Sequence, residues 1–234
     1  MQIRIRFTEP RALRDLATLL GRAARIEEAE ARLQVHAGVL AVWVPVLRPA
    51  TLLDDSPLVL GMRAVPAECE QDPGLDAVVP LRAVLDRLAR AAGGEAPELP
   101  VPPERPLAGW AAVSPPRSGW RPSGRVSEAA LAAAAEAGIA RIAAAAPRGV
   151  GTLIAQRART ETWTAPLAGV EPTDPEEAGA PVPPVAGTAF AADALGFLAP
   201  GAAARRGAFA SLAEAPGWLR LSTRRGHVLQ RRRA

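Results

Sequence analysis

The side chains that could do chemistry are few and lie far apart. The chain has two histidines, His36 and His227, and one cysteine, Cys69. His36 falls in an apolar, strand-like run, where an imidazole is an ordinary half-exposed residue. His227 follows Arg224-Arg225-Gly226, and that positive charge favours its neutral form. Two histidines so far apart do not define a metal site by spacing. Cys69 stands between Glu68 and Glu70, whose charges disfavour a thiolate and hence a nucleophile. Asp54-Asp55 and "DPEE" (174–177) concentrate carboxylate, but a turn and a solvated loop are the ordinary uses of such clusters. "RGVGT" (148–152) could form a small anion-binding nest after Pro147. There is no G-x-S-x-G, Walker loop, H-E-x-x-H or paired-cysteine motif. No catalytic residue, cofactor or metal site is expected.

Arginine is the exception to this sparseness. Lys, Tyr and Asn are absent, a bias that points to a high-GC, bacterial coding sequence. Arg is therefore the only basic residue on offer, and a pI near 10.9 follows from a net charge of only +4. The charge is unevenly placed. Residues 1–200 carry 20 Arg against 23 acids, whereas residues 201–234 carry eight Arg against Glu214 alone. Arg205 and Arg206 fall in "AAARRGAFASLAEA", which reads as a helix following "AFAADALGFL" and an "APG" turn. Arg220, Arg224, Arg225 and His227 fall in "WLRLSTRRGHVLQRRR", which reads as a hairpin, and Arg231, Arg232 and Arg233 form its tail. Helix, turn, helix and basic hairpin is the element order of a winged helix-turn-helix, whose second helix enters the major groove while the wing meets phosphates. The alanine-rich second helix would carry no Asn, Gln or Lys to read bases, and a solvated basic tail is the simpler reading.

"SPPRSGWRPSGR" (114–125) raises a separate question. Trp110 and Trp120 flank Pro115-Pro116, and a plain spacer has no use for two large indoles. Residues 107–125 are expected to form an ordered strap seating both rings, with Arg117 and Arg121 available to stack on them.

These groups need a scaffold. "MQIRIRF" alternates as a half-buried strand, Thr8 and Pro10 can open a helix bearing Leu13, Leu16 and Leu20, and β-rich runs cover 33–47 and 58–65. Asp76 opens a second helix with Leu81, Leu85 and Leu88 on one face, stopped by Gly93-Gly94. Prolines crowd 97–106. Ser127 caps a helix with a Leu131, Ala135, Ile139 and Ile142 stripe, "GTLIAQRARTETWTAP" reads as a strand, and acidic 166–187 reads as a loop.

The expected fold is α+β: an N-terminal β-α-β-β-α layer over 1–96, a Pro/Trp-rich strap over 97–125, and a helical C-terminal module over 126–234 ending in a β-hairpin. One cysteine excludes an internal disulfide and fits a reducing cytoplasm. The N-terminus lacks a signal-peptide core, and the longest apolar run (35–47) is too short for a span of about 20 residues. The leading expectation is a cytoplasmic, non-catalytic adaptor meeting another protein through the N-terminal sheet edge or the strap. Nucleic-acid binding by the basic C-terminal module comes second. An enzyme using Asp54, Asp55 or Asp193 comes third.

Overall fold

A computed structural model describes residues 2–49, 54, 56–91, 97–147, 151–173, 183–204 and 207–232. The fold is mixed α and β and dominated by antiparallel sheet, with eleven strands and five α-helices among the described residues. The chain divides into two compact units that interleave in sequence. Unit 1 comprises residues 1–46 and 62–114, and unit 2 comprises 47–61 and 115–234.

Unit 1 contains β1 (Arg4–Phe7), α1 (Pro10–Ile26), β2 (Glu30–His36), most of β3 (Val39–Leu47) and of β4 (Val59–Glu68), β5 (Asp76–Pro80), α2 (Leu81–Ala91) and β6 (Glu98–Pro100). Its strands run β5-β2-β3-β4, and β1 pairs with both β4 and β6. The expected β-α-β-β-α layer is thus extended. The run 33–47 contains a hairpin turn at Ala37-Gly38, both at positive φ (49° and 76°), and alanine is not a residue that announces such a turn. Residues 76–80 form a strand, so the helix begins at Leu81 rather than Asp76. Glu9, not Thr8, is the N-cap of α1, with Pro10 in the first turn as expected. The core unites Ile5 and Phe7 of β1 with Leu13, Leu16 and Leu20 of α1, Leu33, Leu40 and Val42 of the sheet, and Val84 and Leu88 of α2.

Unit 2 contains β7 (Arg121–Ser127), α3 (Glu128–Ala145), α4 (Thr152–Thr164), β8 (Val170–Pro172), α5 (Ala186–Ala194), β9 (Phe209–Ala215), β10 (Trp218–Ser222) and β11 (His227–Arg231). The strands run β11-β10-β9-β7-β8. Leu58, which belongs to this unit, accepts a bond from the Arg231 N–H at 3.0 Å. Ser127 caps α3 by accepting from the Ala130 N–H at 3.1 Å. The terminal hairpin is present, with Ser222 opposite His227 and Trp218 opposite Arg231.

Several expectations for this half are corrected. The C-terminal half carries three α-helices as expected, but its strands form a five-stranded sheet rather than a terminal hairpin alone. "AFASLAEA" carries strand β9 instead of a second helix, because its burial alternates (Ala210 and Leu212 inside, Phe209 and Ser211 outside) and pairing with β7 and β10 overrides alanine's helical preference. "TLIAQRARTETWT" forms helix α4 rather than a strand. Arg157 and Glu161 pair across one of its turns, and Trp163 is its buried anchor. The ends of 166–187 are structured, since β8 pairs with β7 and a bridge joins Pro166 to Val185; residues 174–182 lie outside the described residues. Thr188 lies within the first turn of α5 and donates to Val185 O. On α3 the buried positions are Glu128, Leu131, Ala135 and Gly138, while Ile139 is exposed. A Cβ at Gly138 would collide with the Trp163 ring, so this glycine permits the close approach of α3 and α4.

Candidate functional site

The antiparallel register of unit 2 places Trp218, Arg220 and Ser222 on one side of β10, with His227 and Leu229 beside them on β11. Across the other edge, β9 sets Ala213 opposite Arg220 and Ser211 opposite Ser222. The Arg220 guanidinium lies 4.5 Å from the Trp120 ring centroid, a cation–π stack joining a strap residue to the hairpin. The Trp120 indole N–H is held by Pro116 O at 2.9 Å. His227 Nδ1 and Ser222 Oγ are 2.8 Å apart. Further along the same sheet, Arg125 lies over the Phe209 ring at 4.5 Å and pairs with Glu171 at 2.7 Å.

The electrostatics are unusual at one residue. The Nε of Arg220 is buried and has no hydrogen-bond partner, and burial pulls the Arg220 pKa down. His227 titrates below its ordinary value, through its own burial first and the charge of Arg220 second. The direction agrees with the sequence expectation, but the chief cause is desolvation rather than the turn arginines.

The other nominated residues are dispersed. Arg224 and Arg225 are exposed at the hairpin turn, and Arg231 is exposed at the end of β11. Arg232 is engaged by Glu214 at 2.9 Å. Arg205, Arg206 and Arg233 lie outside the described residues. With β9 in place of a second helix, the winged-helix arrangement is not formed. Trp110 belongs to unit 1, where it is buried and donates to the Glu30 carboxylate at 3.3 Å. Arg32 clamps the same segment by donating to Ala111 O and Ser114 Oγ while its fork grips Asp76 at 2.7 Å. Arg117 and Arg121 are exposed; the guanidinium over Trp120 is that of Arg220, not of either neighbour.

Among the catalytic candidates, Asp54 accepts from the Ser56 N–H at 2.8 Å and from Gln156 at 3.5 Å, Asp193 is exposed on α5, and Asp55 lies outside the described residues. His36 is the last residue of β2, paired with Val39 of β3, and is exposed. Cys69 is buried, and burial pushes its thiol pKa up, with Asp72 rather than Glu68 or Glu70 as the contributing charge. Most of the "RGVGT" turn and all of "DPEE" lie outside the described residues. Among the described residues, no three of His, Cys, Asp and Glu converge to hold a metal, and no helix is long and apolar enough to cross a membrane.

Sequence reasoning missed a surface cleft of about 380 Å³ in unit 1, lined by Gln2, Arg4, Arg87, Arg90, Glu98 and Pro100. Its walls come from β1, α2 and β6, and only their pairing assembles it. Glu98 is shared between Arg4 at 3.5 Å and Arg6 at 3.3 Å.

Compared with known families, residues 115–234 match the model described as Domain of unknown function (DUF8185). Residues 1–110 match the model described as Domain of unknown function (DUF8010). No curated protein matches the chain.

Proposed function

The chain belongs to the family described as Domain of unknown function (DUF8185), and we propose that it is a non-catalytic, cytoplasmic protein-interaction protein that docks an apolar helix of a partner against the outer end of α3 and α4. The observation that carries this reading is α3 itself. From Ala137 to Ala145 its sequence is "AGIARIAAA", in which Arg141 is the lone polar side chain. A helix that is apolar all round belongs in an interior, yet Ile139 is 47% exposed, and Leu153 and Ile154 at the start of α4 are 82% and 59% exposed. Alanine leaves shallow grooves that a second helix can approach closely. The strap has less to offer: Trp110 is buried and Trp120 is occupied by Arg220. The cytoplasmic part of the proposal is supported by cysteine usage alone.

The test is site-specific photo-crosslinking in cells, with the reactive group at position 139 and, as control, at exposed position 82 of α2. A discrete adduct at 139, absent at 82 and lost in Leu153→Glu/Ile154→Glu, is the expected result. No adduct at 139, or one indifferent to those substitutions, overturns the reading.

Nucleic-acid binding remains a second reading on one observation. Arg224, Arg225 and Arg231 are exposed on one hairpin, and none has an ion pair among the described residues. Duplex DNA and structured RNA should then bind at low salt and weaken roughly fortyfold between about 50 and 200 mM salt, as about three phosphate contacts require. Arg224→Gln/Arg225→Gln should abolish most of that binding. Absence of binding at low salt removes this reading.

A further inference from the structure

Arg220 is a half-buried cation without a counterion among the described residues. Its cross-strand neighbours are Ala213 and Leu229, so the register offers no carboxylate beside it. Nearby arginines are neutralised: Arg232 by Glu214 and Arg125 by Glu171. The buried Nε makes no hydrogen bond. Buried donors are nearly always satisfied, and an orphan in a native fold calls for an explanation such as a bound ion. A guanidinium presents its N–H groups as a rigid fork matched to a two-oxygen acceptor. Trp120 packs against that fork, its ring centroid 4.5 Å from the Arg220 Cζ; with the Nε enclosed by protein, the terminal Nη groups are left as the binding edge.

The surroundings complete an acceptor-seeking cluster. Ser222 follows two residues along on the same side of β10, with exposed Ser211 opposite it on β9. When the Ser222 hydroxyl donates to His227 Nδ1, the neutral ring carries its proton on Nε2, which is then a donor as well. Burial and Arg220 both favour that neutral ring.

We propose that Arg220, Ser222 and His227 form an oxyanion site that takes the phosphate group of a phosphorylated ligand, with Trp120 as the aromatic wall that holds the Arg220 fork in place. The phosphate oxygens accept from the guanidinium and from the histidine ring, and Ser211 stands at the solvent-facing rim. The site is independent of the α3–α4 surface, which carries none of these residues.

The experiment uses the full chain and inorganic phosphate, at fixed pH and ionic strength, and follows the ring signals of the two histidines by NMR. His36, exposed in unit 1, is the internal reference. His227 should move saturably while His36 stays still. Arg220→Gln should weaken the effect at least about tenfold, whereas Arg141→Gln, on α3, should leave it intact. Should Arg220→Gln fail to fold, Ser222→Ala serves instead, with several-fold weakening expected. Thymidine monophosphate and a short oligothymidylate then separate the two sources of phosphate. Preference for the oligomer by about tenfold or more, with steep salt dependence, assigns the site to a nucleic-acid backbone. Equal or weaker binding of the oligomer assigns it to a small phosphate ester. A His227 signal indifferent to phosphate, or a response equal in the Arg220 and Ser222 variants and the parent chain, overturns the proposal.

Discussion

At the residue scale, His227 couples the hairpin to pH. Burial and Arg220 hold its folded pKa below the ordinary value of 6.5. The unfolded chain therefore takes up this proton first as the pH falls. Its contribution to stability is complete above about pH 6.5 and declines as the pH drops from there toward the folded pKa. Thermal unfolding midpoints measured across this range should show the decline in the parent chain and a flatter profile in His227→Gln. Arg220→Met should raise the His227 pKa by removing the nearby charge, but only part of the way, because burial is the larger cause. An NMR titration of the ring reads this directly, and an unchanged pKa would place Arg220 too far from His227 to matter.

At the element scale, α3 depends on two local arrangements. Glu128 is buried, and its carboxylate accepts from the Ala199 N–H at 2.7 Å, fixing the loop after α5 to the first turn of α3. Glu128→Ala leaves that N–H without its partner and should cost about 1–3 kcal/mol in urea unfolding. Gly138→Ala drives a methyl into the Trp163 ring and should cost about 1–3 kcal/mol by overpacking. Ile139→Glu, one residue further on, should change stability by less than about 0.5 kcal/mol because that side chain is already in solvent. The contrast between neighbouring positions tests the orientation of α3, since a rotated helix would reverse the two results.

At the scale of the whole molecule, the units interleave. Unit 2 draws residues 47–61 from the first half of the chain, and the Arg231 N–H bonds to Leu58 O. A fragment spanning 115–234, though it coincides with the matched family region, lacks this segment and leaves β11 without that partner. It should exchange its β11 amide hydrogens faster than the full chain does. All five tryptophans are buried or half-buried, so the folded chain should emit to the blue of its urea-unfolded form. Trp110→Phe and Trp120→Phe should each remove blue-shifted intensity, and removal of only solvent-type emission would contradict the seats described for these rings.

What the sequence alone determined was what a few consecutive residues decide by themselves. The alternation of "IRIRF" dictates β1, Leu13, Leu16 and Leu20 share the buried face of α1, and the Ser127 hydroxyl caps α3. The terminal hairpin around Arg224-Arg225-Gly226 was equally legible. Tertiary structure decided the cases where local preference is weak or misleading. Alanine-rich "AFASLAEA" has no strong period of its own, so flanking strands make it β9. The β-branched residues of "TLIAQRARTETWT" suggest a strand, yet the seat of Trp163 beside Gly138 belongs to a helix. The candidate site was half visible: Trp120 and Arg220 were each notable, but a hundred residues separate them, and no local pattern encodes a stack between them. Their meeting depends on the position of the strap against the face of β10, which follows from long-range packing and strand register rather than from any short stretch of chain.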